Sequence, residues 1–386
     1  MAKRHDRDDP TKANLIKAGE LLLQESVAVS GQPLYDPPPL PTDSEFENPQ
    51  LSLFQDFLYN RTEERDNLSN AVDLWDNVPR YSVSRQAMSK AREGGRFLDT
   101  YTATFQHRDR TYTCSISPAR VRDVDGKQMD FYPSANEELV EDALRKLATD
   151  QSSGFFDKPN YRSGVVFTLY ALREELAKRG HTRSYQEIVL ALNILAKSII
   201  EIRSVGEKGE VLAISPYLQS LVAVSRNALK NDPKAKWAVQ FHPFVTGSID
   251  QVTYRQFNYH LMMSHKTQLA RWLHKQLVLK YTFAELSKSF EMRYSTIKRD
   301  SSLLNGYNRE RAAIDALETA FQDLQSQDIL SGYERKDVTG ARKKLLDVVF
   351  KIWPSSAFVK EVKAANKRLI ESRKLAISVG IGGGSQ

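Results

Sequence analysis

Val165-Val166-Phe167-Thr168-Leu169-Tyr170-Ala171-Leu172 is the stretch on which the fold turns. A short β run ends at a threonine whose hydroxyl suits the N-cap of a helix, predicted over residues 169–179 and closed by Gly180. Ser184 and Glu187 then make a capping box. The helix they start places Ile188, Leu192, Leu195 and Ile199 on one face. Two β runs follow, residues 200–205 and 211–215, joined by Gly206-Glu207-Lys208-Gly209. Upstream, Ser134 and Glu137 form another capping box, opening a helix striped by Leu139, Ala143, Leu144 and Leu147. Helix, strand, short helix, turn, helix, strand, loop, strand is the order of a winged helix, whose second helix after the turn reads a DNA groove. On that helix the face opposite the apolar stripe carries Gln186, Leu190, Asn193 and Lys197, with Arg183 just before it. Gln and Asn pair with adenine edges, Arg and Lys with guanine or phosphate; Leu190 does not suit a groove.

Before this unit, Tyr101, Ala103 and Phe105 alternate with polar residues up to a turn at Arg108-Asp109, and residues 111–116 return, which predicts a β-hairpin. After it the order repeats. Residues 239–245 read as a strand, 254–280 as a long helix, 283–290 as a short one and 294–306 as a polar connection. Asn308 is the expected cap of a helix running to Gln325 that buries Ile314, Leu317, Phe321 and Leu324. Its other face shows Asn308, Arg309, Ala312, Ala316 and Thr319, with Arg311 to one side. Small residues between arginines suit close approach to a base-pair edge. Residues 330–337 and 345–352 supply a wing carrying Arg335, Lys336, Arg342, Lys343 and Lys344, a phosphate clamp in outline. A basic helix over residues 356–376 and a Gly-rich tail over 380–386 close the chain.

The 386 residues suffice for two or three domains. Lys and Arg exceed Asp and Glu by 55 to 48, and the charge is segregated: residues 31–79 carry a net −8 and residues 280–386 a net +6. A basic C-terminal half fits an acidic partner such as nucleic acid. Cys114 is the only cysteine, which excludes an intrachain disulfide and a zinc finger. His260, His265 and His274 lack a metal spacing, and no Gly-rich phosphate loop, acidic metal cluster or His-Glu-x-x-His occurs; no cofactor, metal or enzymatic activity is expected. With no long apolar run, the expected location is the bacterial cytoplasm, away from membranes.

Ahead of all this, apolar residues at helical spacing predict one short amphipathic helix over residues 11–28, and prolines from Pro33 to Pro49 predict an extended linker. Gln50-Leu51-Ser52-Leu53-Phe54 follows. Leu53 and Phe54 suit an apolar cleft, Gln50 a polar pocket and Leu51 a flanking contact, as in short extended ligands. The fold expected is α+β: a flexible leader with this motif (1–96), two tandem winged-helix domains (97–247 and 248–354), and a basic C-terminal helix and tail (355–386).

The pentapeptide resembles the motif by which bacterial proteins hold the sliding clamp of DNA polymerase. Together with the strand-to-helix junction at residues 166–172, the stretch 318–330 and the element order, it makes residues 50–337 resemble the TrfA-type plasmid replication initiators. The resemblance implies a plasmid replication initiator that binds repeated double-stranded origin sites and brings in the clamp. It also implies, as further partners, single-stranded DNA of the opened origin, the replicative helicase and a second copy of the chain. The sequence departs from that pattern in the longer segment 293–307 and in its basic C-terminal extension. The alternative is a winged-helix transcriptional regulator in which the pentapeptide is fortuitous.

Overall fold

The computed structural model describes residues 66–93, 97–122, 128–149, 153–206, 209–224 and 235–378, all within the compact unit Pro41–Gln386. The pentapeptide, the expected leader helix, the proline-rich stretch and the tail lie outside the described residues. Residues 66–93, expected within the leader, instead belong to the folded body, with Leu68–Val72, residues 75–81 and Met88 buried. Strand β1 (Leu68–Val72) is buried along its whole length and pairs antiparallel with Tyr254–Asn258. A 3-10 turn (Trp75–Asn77) and helix α1 (Arg85–Glu93) follow.

Polarity hid this segment, because Asp76, Asn77 and Arg80 are as deeply buried as Trp75. Buried charge is tolerated when it is paired. Arg145 grips Asp76 through two 2.8 Å hydrogen bonds, Arg80 reaches Glu141 at 3.0 Å, and Trp75 Nε1 donates to Glu141 at 2.6 Å. Burial alone would raise the Asp76 carboxyl, but Arg145, Lys275 and Arg80 outweigh it and hold it well below the usual carboxylate range.

The hairpin forms where the alternation predicts it: β2 (Tyr101–His107) and β3 (Arg110–Ser117) turn through Arg108 and Asp109, both at positive φ. β4 (Ala119–Arg122) pairs with β5 (Gln128–Phe131). Helix α2 (Ala135–Leu147) opens with Glu137 accepting from Ser134 N at 2.9 Å and is buried at every position from Glu137 to Lys146. β6 (Gly154–Asp157) and β7 (Arg162–Thr168) lead into α3 (Leu169–Lys178), where Thr168 Oγ1 accepts from Ala171 N at 3.1 Å. The Ser184–Glu187 box starts α4 (Tyr185–Lys197), and α2 packs on both α3 and α4. β8 (Ile199–Gly206), β9 (Gly209–Pro216), β10 (Leu218–Val224) and β11 (Lys236–Phe241) complete two four-stranded sheets, ordered β2-β3-β8-β9 and β10-β11-β7-β6.

Pro243 occupies the first turn of α5 (Pro243–Asp250), so the strand expected over 239–245 stops at Phe241. The single helix expected over 254–280 is three elements: β12 (Tyr254–Asn258), α6 (Tyr259–Ser264) and α7 (Gln268–Lys280). Asn258 Oδ1 accepts from Leu261 N at 3.0 Å and Thr267 Oγ1 from Ala270 N at 3.1 Å, each capping a new helix. Turns replace the short helix expected over 283–290, ending in β13 (Phe290–Arg293). The expected polar connection holds α8 (Tyr294–Ser301), and α9 (Glu310–Ser326) begins at Arg309 without a side-chain cap, so Asn308 stands outside it. β14 (Leu330–Thr339) and β15 (Leu345–Pro354) form a sheet ordered β13-β15-β14, and α10 (Ser356–Ser378) follows. The whole is a mixed helix-and-sheet fold.

Candidate nucleic-acid interface

Helix α9 packs on α7 through the face its spacing predicts: Ile314, Leu317, Phe321 and Leu324 are buried. The Phe321 ring lies 4.9 Å from Phe350 of β15 and 5.4 Å from Tyr333 of β14, which seats the helix on the sheet. Helix α8 is positioned from a distance. Asp347 of β15 accepts from Ser295 N at 3.0 Å and from Ser295 Oγ at 2.7 Å, capping α8 from another element. Burial would raise the Asp347 carboxyl, but the Ser295 hydrogen bonds and Arg293 lower it.

Gln325 Nε2 donates to Ser331 O at 3.2 Å, whereas Glu318, earlier on α9, meets Arg335, later on β14, at 3.0 Å. Helix and strand therefore run in opposite directions. The N-terminus of α9 extends about 13 Å beyond Glu318, and the tip of the hairpin about 16 Å beyond Arg335 towards the same end. At that end stand Asn308, Arg309, Arg311, Lys336, Arg342, Lys343 and Lys344, all exposed. Among the described residues, none of these cations has an ion pair. Arg335 differs: it bridges Asp337 at 2.7 Å and Glu318 at 3.0 Å, and these carboxylates raise its pKa. Its charge is matched within the protein, and it straps the hairpin to α9.

The hairpin tip has an unusual backbone. Arg342 and Lys343 both sit in the left-handed region, at φ 59° and 58°, and Lys344 N donates to Ala341 O at 3.4 Å. Two successive positive-φ residues describe a type I′ turn, whose usual occupants are Asn and Gly. Holding non-glycine residues there costs about 1–2 kcal/mol each.

In the first unit the predicted residues divide. Gln186 and Lys197 are exposed on α4. Arg183 Nε donates to Asn136 Oδ1 at 2.6 Å, and Asn193 Nδ2 turns back to Val189 O at 2.8 Å, so both are engaged within the protein. Sequence reasoning missed Arg293, exposed at the start of α8, and the apolar pair Leu345 and Leu346 beside the tip. A run of three cations followed by two leucines was the available signal.

His265 and His274 form a buried polar cluster near the C-terminal end of α9, whereas His260 is exposed and meets Arg179 Nη1 at 3.0 Å. His265 Nε2 lies 2.9 Å from His274 Nδ1, and His265 Nδ1 is 3.6 Å from Asp323. Burial lowers the His265 pKa to about 4, against the pull of Asp323 and with the push of Arg271. Among the described residues no group of three or more His, Cys, Asp or Glu is placed to hold a metal ion, and no helix is long and apolar enough to cross a membrane.

No protein-family model matches the chain, and no curated protein matches its sequence. Solved structures similar to it include domains 2 and 3 of RctB in a selenomethionine form, with TM-score 0.43 at 10% identity over 67% of this chain and 92% of that one. A second RctB domain 2–3 crystal structure gives TM-score 0.41 at 10% identity over 69% and 95%. The Pi initiator protein in complex with iteron DNA gives 0.33 at 10% identity over 75% and 98%.

Proposed function

We propose that the protein is a plasmid DNA replication initiator of the type its sequence resembles, binding repeated origin sites through two tandem winged helices. The first (97–247) would use α2, β7, α3, α4 and the β8–β9 hairpin; the second (248–354) would use α7, β13, α8, α9 and the β14–β15 hairpin. What carries this reading is the gathering, from α9 and the hairpin at one end of the second unit, of exposed cations that have no ion pair among the described residues. Helix α9 enters the major groove with Asn308, Arg309 and Arg311 towards base edges. Lys336, Arg342, Lys343 and Lys344 meet phosphates beside it. In the first unit Gln186 and Lys197 remain free to contact DNA. Gln50, Leu51, Leu53 and Phe54 bind the sliding clamp once the body is on the origin, and the helicase, single-stranded origin DNA and a second copy are the further partners of that role.

Nuclease protection on the DNA flanking the gene tests the reading: the purified protein protects short direct repeats. The four hairpin cations contribute about −3.6 to the slope of log affinity against log salt. Absence of protection on any repeat would overturn origin binding. Residues 40–60 fused to an inert carrier test the clamp step separately, with capture of the clamp expected and lost on Leu53→Ala with Phe54→Ala.

A further inference from the structure

Leu346 stands at the hairpin tip, beyond an apolar row of β15. On β15 Val348, Phe350 and Ile352 alternate to one face and are fully buried, and Leu346 lies beyond them in the irregularity where the ladder steps from the Val338–Asp347 pair to the Thr339–Leu345 pair. Phe350 marks that face as the one under α9, through its contact with Phe321. Leu346 lies roughly 13 Å past Phe350, at the hairpin tip, and is 63% exposed, with its neighbour Leu345 at 36%. It leans over the turn at Gly340, where a Cβ would meet Leu346 Cδ1 at 3.0 Å. A bulky apolar side chain is thus held at the tip of a hairpin, two residues after the run Arg342-Lys343-Lys344.

Neither the core nor any described side chain accounts for a leucine in that place, and its setting points to what covers it. The cations beside it suit an anionic partner, and the apolar side chain suits a dry, flat one. A duplex offers both within a few ångströms: phosphates along the groove edge and the faces of stacked bases behind them. Resting on the reading of this unit as DNA-binding, we propose that Leu346 is a wedge that enters from the minor groove and parts two stacked base pairs while the three cations hold the flanking phosphates. The left-handed Arg342-Lys343 turn fixes the tip in the shape that insertion needs. A wedge also reads sequence without a hydrogen bond, since pyrimidine–purine steps unstack most readily. Leu346 is then a specificity determinant for TA and CA steps beside the site read by α9.

Ligase closure of a nicked plasmid, at low salt with rising amounts of the full chain, tests the wedge. A residue inserted between base pairs unwinds the duplex, so the sealed circles shift in linking number in proportion to bound protein. Wild type shifts the distribution; Leu346→Ala, compared at equal occupancy by gel retardation, shifts it at least threefold less per bound protein, and Leu346→Met retains the shift. Wild type that retards the plasmid without changing its linking number overturns the wedge, as does Leu346→Ala shifting it as far as wild type. Wild type that fails to retard duplex DNA at all overturns the DNA-binding reading beneath it, and the wedge with it.

Discussion

Replacing Arg342 and Lys343 by Asn and Gly should stabilise the protein and weaken its hold on DNA. The turn at the hairpin tip has both central residues in the left-handed region, at φ 59° and 58°. Asn tolerates that region and Gly has no Cβ to clash, so the substituted turn relieves strain of about 1–2 kcal/mol per residue. Arg342 and Lys343 are exposed and without ion pairs among the described residues, so the folded state gives up no partner in exchange. Part of the gain is offset because glycine has more freedom in the unfolded chain, leaving a net stabilisation of about 1–2 kcal/mol and a rise in Tm of a few degrees. On DNA the direction reverses. Removing two cations from the phosphate backbone reduces the magnitude of the salt slope by about 1.8, and affinity near physiological salt falls by one to two orders of magnitude. Urea unfolding and salt-dependent fluorescence anisotropy on one duplex measure the two effects. A double variant no more stable than wild type would refute the strain, and one that binds with unchanged salt slope would refute the phosphate binding.

Arg309→Ala should weaken binding to a protected repeat by about 1–3 kcal/mol more than binding to unrelated duplex, whereas Lys343→Ala weakens both alike; equal losses from both changes would mean that α9 touches only backbone. Arg145→Met strips Asp76 of its two-bond partner, leaving it Arg80 at 3.2 Å, and leaves Asp142 to Lys275; it should destabilise the fold by about 3 kcal/mol in urea unfolding, with partial recovery on adding Asp76→Asn. His265 is buried with its pKa lowered from 6.5 to about 4. A lowered folded-state pKa means that the unfolded chain binds the proton first, so the stability due to neutral His265 is full above pH 6.5 and is lost as pH falls towards 4. By pH 4.5 the loss is about 2–3 kcal/mol, seen as the difference between wild type and His265→Gln in pH-dependent unfolding.

Local chemistry made parts of this fold legible. Thr168, Ser134 and Ser184 cap the helices their neighbours predict, because a hydroxyl three residues from its amide is a local fact. Asn258 and Thr267 carried the same signal and split the expected long helix, where apolar recurrence from Phe257 to Leu279 masked them. Helix α8 was illegible for a different reason: its cap, Asp347, lies 52 residues downstream. The buried segment around Trp75 was hidden in the same way. Asp76 finds Arg145 across 69 residues, and until that partner is known its charge reads as exposed. At the candidate interface the clustered cations of the hairpin were visible in sequence. That Arg335 is matched by Glu318 and Asp337, and that Asn193 bonds its own helix, depends on side-chain directions that spacing does not specify.

The buried charges also bear on how two DNA-reading units would act together. Joined by a flexible linker, two such units gain from effective concentration alone and tolerate variable spacing on DNA. Here the joint is not a tether. Asp142 of α2 meets Lys275 of α7 at 2.7 Å, Gln276 of α7 donates to the Asp76 carbonyl at 3.1 Å, and β1 pairs with β12 along its full length. The leading helices of the two proposed domains therefore share one buried, hydrogen-bonded ionic cluster, in which shifting one helix strips partners from charges that have no water to replace them. Such a joint sacrifices tolerance of spacing for geometry. If both proposed units read DNA, the distance and rotation between their helices would be set by the protein, and the DNA would have to match them or bend to do so, the condition under which a wedge at the hairpin tip has something to gain from a deformable step.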